Sequence, residues 1–214
     1  VIKKKSDNFE WLEFGLLQEF PNLNHSVSLT PPPPSDIILA KQVHGCQVRC
    51  ISERPKDELI CDALSTNNKN CPIGIKHADC QAAIIYDPVH HAVCCVHSGW
   101  RGSVQNIYRE AVEHMGRHYQ SDPNDLIFCV GPSLGPQSAE FIHYQIELPK
   151  SFWKYQSKPN YFDFWTITRH QVTACGILPR NIEIAELDTA TGNFYSYRRD
   201  RKKDPHHITW VNLL

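Results

Sequence analysis

The chain has one methionine, no Cys-x-x-Cys pair, a net charge of only −1 and no internal repeat. It also lacks any apolar run approaching the roughly 18 to 20 residues that cross a bilayer, so an integral membrane protein is not expected. The missing Cys-x-x-Cys spacing argues against a structural zinc clip, and the balanced charge removes any global attraction to nucleic acid or acidic lipid. The opening Val-Ile-Lys-Lys-Lys run is not followed by the apolar segment of a signal peptide, and residence in the cytoplasm is expected. What the chain does have is nine cysteines. Their number is odd and the chain is too long to need staples, so they read as free thiols of a reducing compartment. With 214 residues, 41% hydrophobic and 21% charged, one globular domain over residues 1–214 is expected.

Four prolines at 31–34 form a stiff, extended breaker, read as a rigid surface loop between an N-terminal strand region and the body. Residues 36–51 alternate, with Ile38, Ala40, Gln42, His44, Cys46, Val48 and Cys50 sharing one parity. That pattern predicts a strand and turns His44 toward an apolar face. Residues 73–76, 82–86 and 92–96 read as three further strands, the last two joined by the hairpin-like turn Asp87-Pro88-Val89-His90-His91. The spacing of Val104, Ile107, Tyr108, Ala111, Val112 and Met115 predicts a helix over 103–118, with Gly102 and Ser103 at its cap. A strand at 126–130 runs into the turn Gly131-Pro132-Ser133-Leu134-Gly135-Pro136. A helix at 166–175 is closed by Gly176, and 182–187, 194–198 and 207–211 read as strands. No regular βαβ repeat emerges, so the expected class is α+β with mixed sheets flanked by helices.

Chemistry concentrates at two strand ends. Cys80 follows Asp79 at one, and His97 closes a strand seventeen residues later, so a hairpin between them could bring the two side chains together. A Cys/His pair supports a nucleophilic thiolate. Equally, with His44 as third ligand, it supports an open metal site of the kind a catalytic zinc uses, although the same ligands also suit copper. Spacing alone matches no local metal signature. Arg101 sits at the predicted helix start, where it can hold phosphate or carboxylate with both arms of its guanidinium. The basic run at 198–203 has five cations in six residues but is interrupted by Asp200 and has no interleaved aromatic platform. It reads as a solvated face, and no nucleic-acid partner is expected.

Six ordered blocks carry a resemblance that no single block carries alone. Lys41-Gln42-Val43-His44-Gly45, Asp62-Ala63-Leu64, Ala78-Asp79-Cys80, His97-Ser98-Gly99-Trp100-Arg101-Gly102, Gly131-Pro132-Ser133-Leu134-Gly135-Pro136 and Phe194-Tyr195-Ser196-Tyr197-Arg198-Arg199-Asp200 occur in this order. From about residue 38 onward the chain resembles the laccase-domain proteins, also called the polyphenol oxidase family. The resemblance implies a single α+β domain distantly similar to the catalytic domain of cytotoxic necrotising factor toxins. It implies phosphorolysis of adenosine, inosine, guanosine and methylthioadenosine, with adenosine deamination as well. It further implies a metal held by His44, Cys80 and His97, zinc or alternatively copper.

On that resemblance Cys80, His97 and Arg101 are the expected catalytic residues. Arg101, Asp62 and Gln42 are expected to bind substrate, with Asp62 and Asp79 as candidates to hold ribose hydroxyls or to orient ligands, and turn capping as their structural alternative. Purine nucleosides and phosphate are the expected partners of a monomer or homodimer. Three stretches depart from the family pattern: Gln137-Ser138-Ala139-Glu140 where a cysteine pair and Tyr-Glu are usual, Asp188-Thr189 where Cys-Thr is usual, and residues 201–205. They bear on substrate preference and leave the three ligand positions intact. Rival readings are a copper-dependent phenol oxidase, a metal-free Cys80/His97 hydrolase, and a scaffold that kept the fold without the activity. A single three-ligand site and one methionine speak against the multi-copper chemistry of an oxidase.

Overall fold

The computed structural model describes residues 1–6, 9–29 and 36–214; the proline run at 31–34 lies outside them. In chain order the elements are β1 (Ile2–Lys5), β2 (Glu10–Glu13), β3 (Leu23–Ser28), β4 (Val48–Cys50), β5 (Ala63–Thr66), β6 (Ile73–His77), β7 (Gln81–Asp87) and β8 (Ala92–Ser98). There follow α1 (Trp100–Val104), α2 (Ile107–Tyr119), β9 (Ile127–Val130), α3 (Tyr144–Glu147), β10 (Gln156–Lys158), β11 (Tyr161–Phe162), α4 (Phe164–Ala174), β12 (Ile182–Ile184), α5 (Tyr197–Asp200) and β13 (His207–Leu213). One sheet has the order β1-β2-β3-β13-β6 and is antiparallel throughout. The other, β12-β9-β7-β8-β5-β4, is mixed, with its outer pairs β12/β9 and β5/β4 parallel. Mixed sheets with few helices match the expected class.

The middle layer follows from the sequence of β7, in which every residue is buried. Ala82, Ile84 and Tyr86 join a core with Val27, Ile75 and Val211 of the antiparallel sheet. Ala83 and Ile85 point the other way, onto Ile107, Ala111 and Met115 of α2 and Val172 of α4. A strand covered on both faces has no polar parity, which is why it reads as an unbroken apolar run. Each fully buried side chain of isoleucine size contributes about 1.5 to 3 kcal/mol to this layering.

Local expectations fail where side chains, rather than periodicity, direct the backbone. Residues 36–51 are not one strand; only β4 and isolated bridges from Ile38 to Ile73 and Lys41 to Ile60 form there. His44 has φ 61, in the left-handed region, and is exposed rather than turned to an apolar face. The cause is Asp62, whose carboxylate accepts from the consecutive N–H groups of Val43, His44 and Gly45 at 3.2, 2.9 and 2.8 Å. The helix expected at 103–118 begins earlier, at Trp100, and breaks at Asn106 (φ 58), whose side chain accepts from Arg109 N to cap α2. The strand expected at 182–187 stops at Ile184, short of Glu186 with φ 51. Residues 194–198 are not a strand: Ser196 accepts from Arg199 N and caps the single turn α5.

Near the end of α2, His114 Nε2 bonds Ser65 Oγ at 2.9 Å and its ring stacks on His118 at 4.1 Å. Burial, then the neighbouring His118 and Arg117, lower its pKa to about 4. Between pH 6.5 and 4 the unfolded chain therefore takes up a proton at this position that the folded chain refuses, so stability rises with pH across that window and falls on acidification. The expected loss through His114 is at most about 3 kcal/mol. Denaturant midpoints measured from pH 7 to 4 should fall less steeply for His114→Gln than for the parent.

Candidate metal centre

The β7/β8 hairpin pairs Gln81 with Ser98 and Ala82 with His97, so Cys80 and His97 sit at its open end. The His44 loop closes over them. The three potential donor atoms of His44, Cys80 and His97 all lie within 4.8 Å of one another, with Cys80 Sγ 4.0 Å from His44 Nε2. His97 is buried, Cys80 half-buried and His44 exposed, which leaves one side of the group open. Among the described residues this is the one such group of three or more histidine, cysteine and acidic side chains.

Asp62 organises the group from beneath. It is fully buried and, besides holding the His44 loop, its Oδ1 lies 2.8 Å from His97 Nδ1. That bond commits Nδ1 and leaves Nε2 to face the centre, the carboxylate–histidine arrangement that orients a metal ligand. Of the parts weighed for Asp62, the geometry supplies turn capping, through the 43–45 amides, and the orienting of His97, and its oxygens are taken by the protein rather than left for ribose hydroxyls. Gln42 is likewise engaged, exchanging hydrogen bonds with Lys76 O at 2.8 Å and Lys76 N at 3.0 Å while it lines the cavity.

The electrostatics favour a charged pair. Burial pushes the Cys80 thiol up, but hydrogen bonds and charge from His44 and His97 outweigh it and bring its pKa down to about 6. Burial pushes His97 down, and its bonds to Asp62 and Cys80 outweigh that and raise it to about 9. Asp62 is lowered: burial opposes ionisation, and His97 with the N–H groups of Gly45 and Val43 overcome it. A thiolate available at neutral pH is what a soft or borderline cation requires, and a bound cation would take the place of the proton on His97 Nε2.

The residues present therefore fit a metal. Donor type, an oriented His97 and an open side agree with a three-ligand catalytic site. Gly99 supplies a further fit: a Cβ there would lie 2.8 Å from His44 Cδ2 and 3.1 Å from Cys80 Sγ. Gly99→Ala is expected to push His44 and Cys80 apart and weaken metal binding roughly 10- to 100-fold. Because His44 is exposed and can shift, the denaturant midpoint should move by no more than about 1 kcal/mol of stability. Metal titration beside an unfolding curve checks both.

Asp79, with φ 91, ties the loops around the centre together. Its Oδ1 accepts from Thr189 Oγ1 at 2.7 Å and its Oδ2 from Arg198 N at 2.6 Å. Two of the stretches that depart from the family pattern meet here: Ser138 Oγ donates to Asp188 Oδ2 at 2.7 Å. That bond joins the Gly-Pro loop to the 188–192 turn.

The centre forms the floor of a cavity of about 890 Å³. Trp100, Phe141 and Phe164 line one wall, with Trp100 edge-on to Phe141 at 6.1 Å and Phe141 5.4 Å from Phe164. Arg101 lies 4.2 Å over the Trp100 ring and also faces the cavity. The helix it starts is only five residues long, so its anion-holding capacity rests on the guanidinium rather than on a helix dipole. Reading the sequence alone missed Phe141, in the loop before α3, and Phe164, the first residue of α4; they lie far apart in the chain and carry no motif. It also missed that the basic run divides. Arg199 donates to Thr189, Gly192 and Phe194 carbonyls and pairs with Asp200, whereas Arg201 and Lys203 line the cavity.

A mixed sheet backed by a second sheet, with a histidine/cysteine/histidine group that could hold a metal at the open end of its central hairpin, defines the class of this domain. A family model described as "Multi-copper polyphenol oxidoreductase laccase" matches residues 21–213, and the chain belongs to this family. The chain is 27% identical over 186 residues to the purine nucleoside phosphorylase of Bacteroides thetaiotaomicron, covering 78% of this chain and 69% of that protein. It is 30% identical over 185 residues to the purine nucleoside phosphorylase LACC1 of Mus musculus, covering 81% of this chain and 42% of that one. A 109-residue stretch is 35% identical to an adenosine deaminase of an unknown prokaryotic organism, covering 46% of this chain and 41% of that one. The crystal structure of Bacillus licheniformis hypothetical protein YfiH shares the fold, with a TM-score of 0.83 at 20% identity and 99% of each chain covered.

Proposed function

We propose that this chain is a zinc-dependent purine nucleoside phosphorylase acting on adenosine, inosine, guanosine and methylthioadenosine, with adenosine deaminase activity. The observation that carries the reading is the convergence of His44, Cys80 and His97 on the floor of a cavity with an aromatic wall and a guanidinium beside it. The names of the relatives support it. When bound, the metal supplies Lewis acidity at that floor. Trp100, Phe141 and Phe164 offer apolar surface for a purine, and Arg101 holds the attacking phosphate by two parallel hydrogen bonds. The C1′–N9 bond breaks as a phosphate oxygen bonds C1′, and the cationic guanidinium steadies the approaching anion. Asp62 keeps His97 in one tautomer throughout. All nine cysteines are free, and no described helix is long and apolar enough to cross a membrane. The free thiols support a working place in the cytoplasm.

The test is incubation of metal-loaded protein with inosine or adenosine and phosphate. Free base and ribose 1-phosphate are expected, and an absence of both sinks the reading. Metal content of protein purified without added copper separates zinc from the copper alternative, for which stoichiometric copper with dioxygen uptake is the required result. A second reading is favoured by the Cys80/His97 pair itself, whose lowered thiol and raised imidazole make a nucleophilic dyad. It requires turnover by the chelated, metal-free protein and a covalent Cys80 adduct in its mass spectrum.

A further inference from the structure

The cavity carries more positive charge than phosphorolysis of an uncharged nucleoside uses. One anion position suffices for the attacking phosphate, and Arg101 provides it from α1, directly after β8 of the mixed sheet. A second cationic group arrives from the antiparallel sheet. Lys76 stands exposed on β6 opposite Ile208 of β13, and Arg201, Lys203 and His206 come from the segment joining α5 to β13; all line the same cavity.

Among the described residues, Lys76, Arg201 and Lys203 have no carboxylate partner. Six lysine and arginine side chains line the cavity against three carboxylates, of which Glu58 pairs with Lys41 at 3.5 Å, Asp204 bonds His206 at 3.0 Å, and Asp79 accepts from Thr189 and the Arg198 N–H. Three exposed like charges lining one cavity raise a local positive potential, which favours an anionic ligand. Cys80 lies in the three-residue link from β6 to β7, which passes from one sheet to the other. The two cationic groups are thus presented by different sheets around the link that bears the reacting centre.

We propose that the preferred substrate carries its own phosphoryl group on the ribose. It is a purine nucleoside 5′-monophosphate, with Lys76, Arg201 and Lys203 holding that group and Arg101 the attacking phosphate. The inference rests on the purine reading above. The 5′ oxygen is the ribose position that projects beyond the ring and away from C1′, so it reaches a wall that the reacting face does not. In the reaction the C1′–N9 bond breaks, its electron pair leaves with the purine, which takes a proton, and a phosphate oxygen bonds C1′. The products are free base and ribose 1,5-bisphosphate, with nothing oxidised or reduced.

Equilibrium binding decides it, followed by calorimetry or tryptophan fluorescence on the metal-loaded full chain with inosine and inosine 5′-monophosphate. The nucleotide is expected to bind at least about tenfold more tightly, a gap that narrows with salt. The variant Lys76→Gln/Arg201→Gln/Lys203→Gln should weaken the nucleotide at least about tenfold more than the nucleoside. Equal affinities, or a gap that survives the triple variant, overturn the proposal, as does a gap abolished equally by Lys202→Gln outside the cavity wall. If inosine binds and is phosphorolysed while the nucleotide does no better, this inference alone fails. If neither ligand binds, the purine reading falls with it.

Discussion

On the proposed function, Cys80→Ala is expected to leave the protein folded, strip it of stoichiometric metal and lower phosphorolysis by more than about 100-fold, the upper end of what loss of a partner behind the ligands costs. The thiol contributes the one sulfur donor of the group, and its pKa of about 6 keeps it ionised where the other two donors are imidazoles. Removing it leaves two histidines, one of them on an exposed loop, and two neutral nitrogens hold a borderline-soft cation poorly. The fold should tolerate the change. Cys80 is half-buried and belongs to none of the three apolar clusters, so the cost should stay within about 1 kcal/mol. Metal per chain by plasma mass spectrometry after desalting, paired with the initial rate of base release, gives both readings. A variant that keeps one metal per chain and parental activity would show that Cys80 is no ligand.

Asp62→Ala should damage both stability and the centre. One carboxylate answers four donors: three N–H groups of the loop 43–45 and His97 Nδ1. Alanine takes one of two counter-charges from the buried His97, leaving the Cys80 thiolate, and breaking such a buried pair costs up to about 3 to 5 kcal/mol. It also frees the loop that holds His44 at its positive φ, so metal affinity should fall roughly 10- to 100-fold. The pH dependence has a definite sign. Asp62 titrates below its ordinary value in the folded state, so its stabilising contribution is present at neutral pH and is lost as the pH falls through the folded value. The parent should therefore show an acid-dependent loss that Asp62→Ala lacks. A denaturant midpoint shifted by less than about 1 kcal/mol in stability would show that water replaces the carboxylate and that the loop needs no anchor.

How far the chain could be read before its structure depended on whether the relevant forces were local. Strands β6, β7, β8 and β9, helix α4 with Gly176 at φ 101, and β13 follow from runs and caps of neighbouring residues. The 36–51 stretch alternates as a strand should, yet Asp62, far along the chain, bends it by taking three consecutive amides. Asn106 breaks a helix whose apolar spacing is continuous, because its own side chain caps α2. In both places a polar side chain competes with the periodic pattern for the backbone, and hydropathy does not register that competition.

By itself, the sequence determined the mixed α and β character, the order of the strands around the hairpin, and the motif blocks in which His44, Cys80, His97 and Arg101 stand. Those properties reside in neighbouring residues and survive being read one window at a time. Only the tertiary structure decided that Asp62 serves the protein rather than a ligand, that Phe141 and Phe164 join Trp100 in one wall, and that Lys76, Arg201 and Lys203 share one opening. Each depends on residues tens of positions apart meeting where one sheet passes into the other, and such meetings are set by the burial of two cores, not by spacing along the chain.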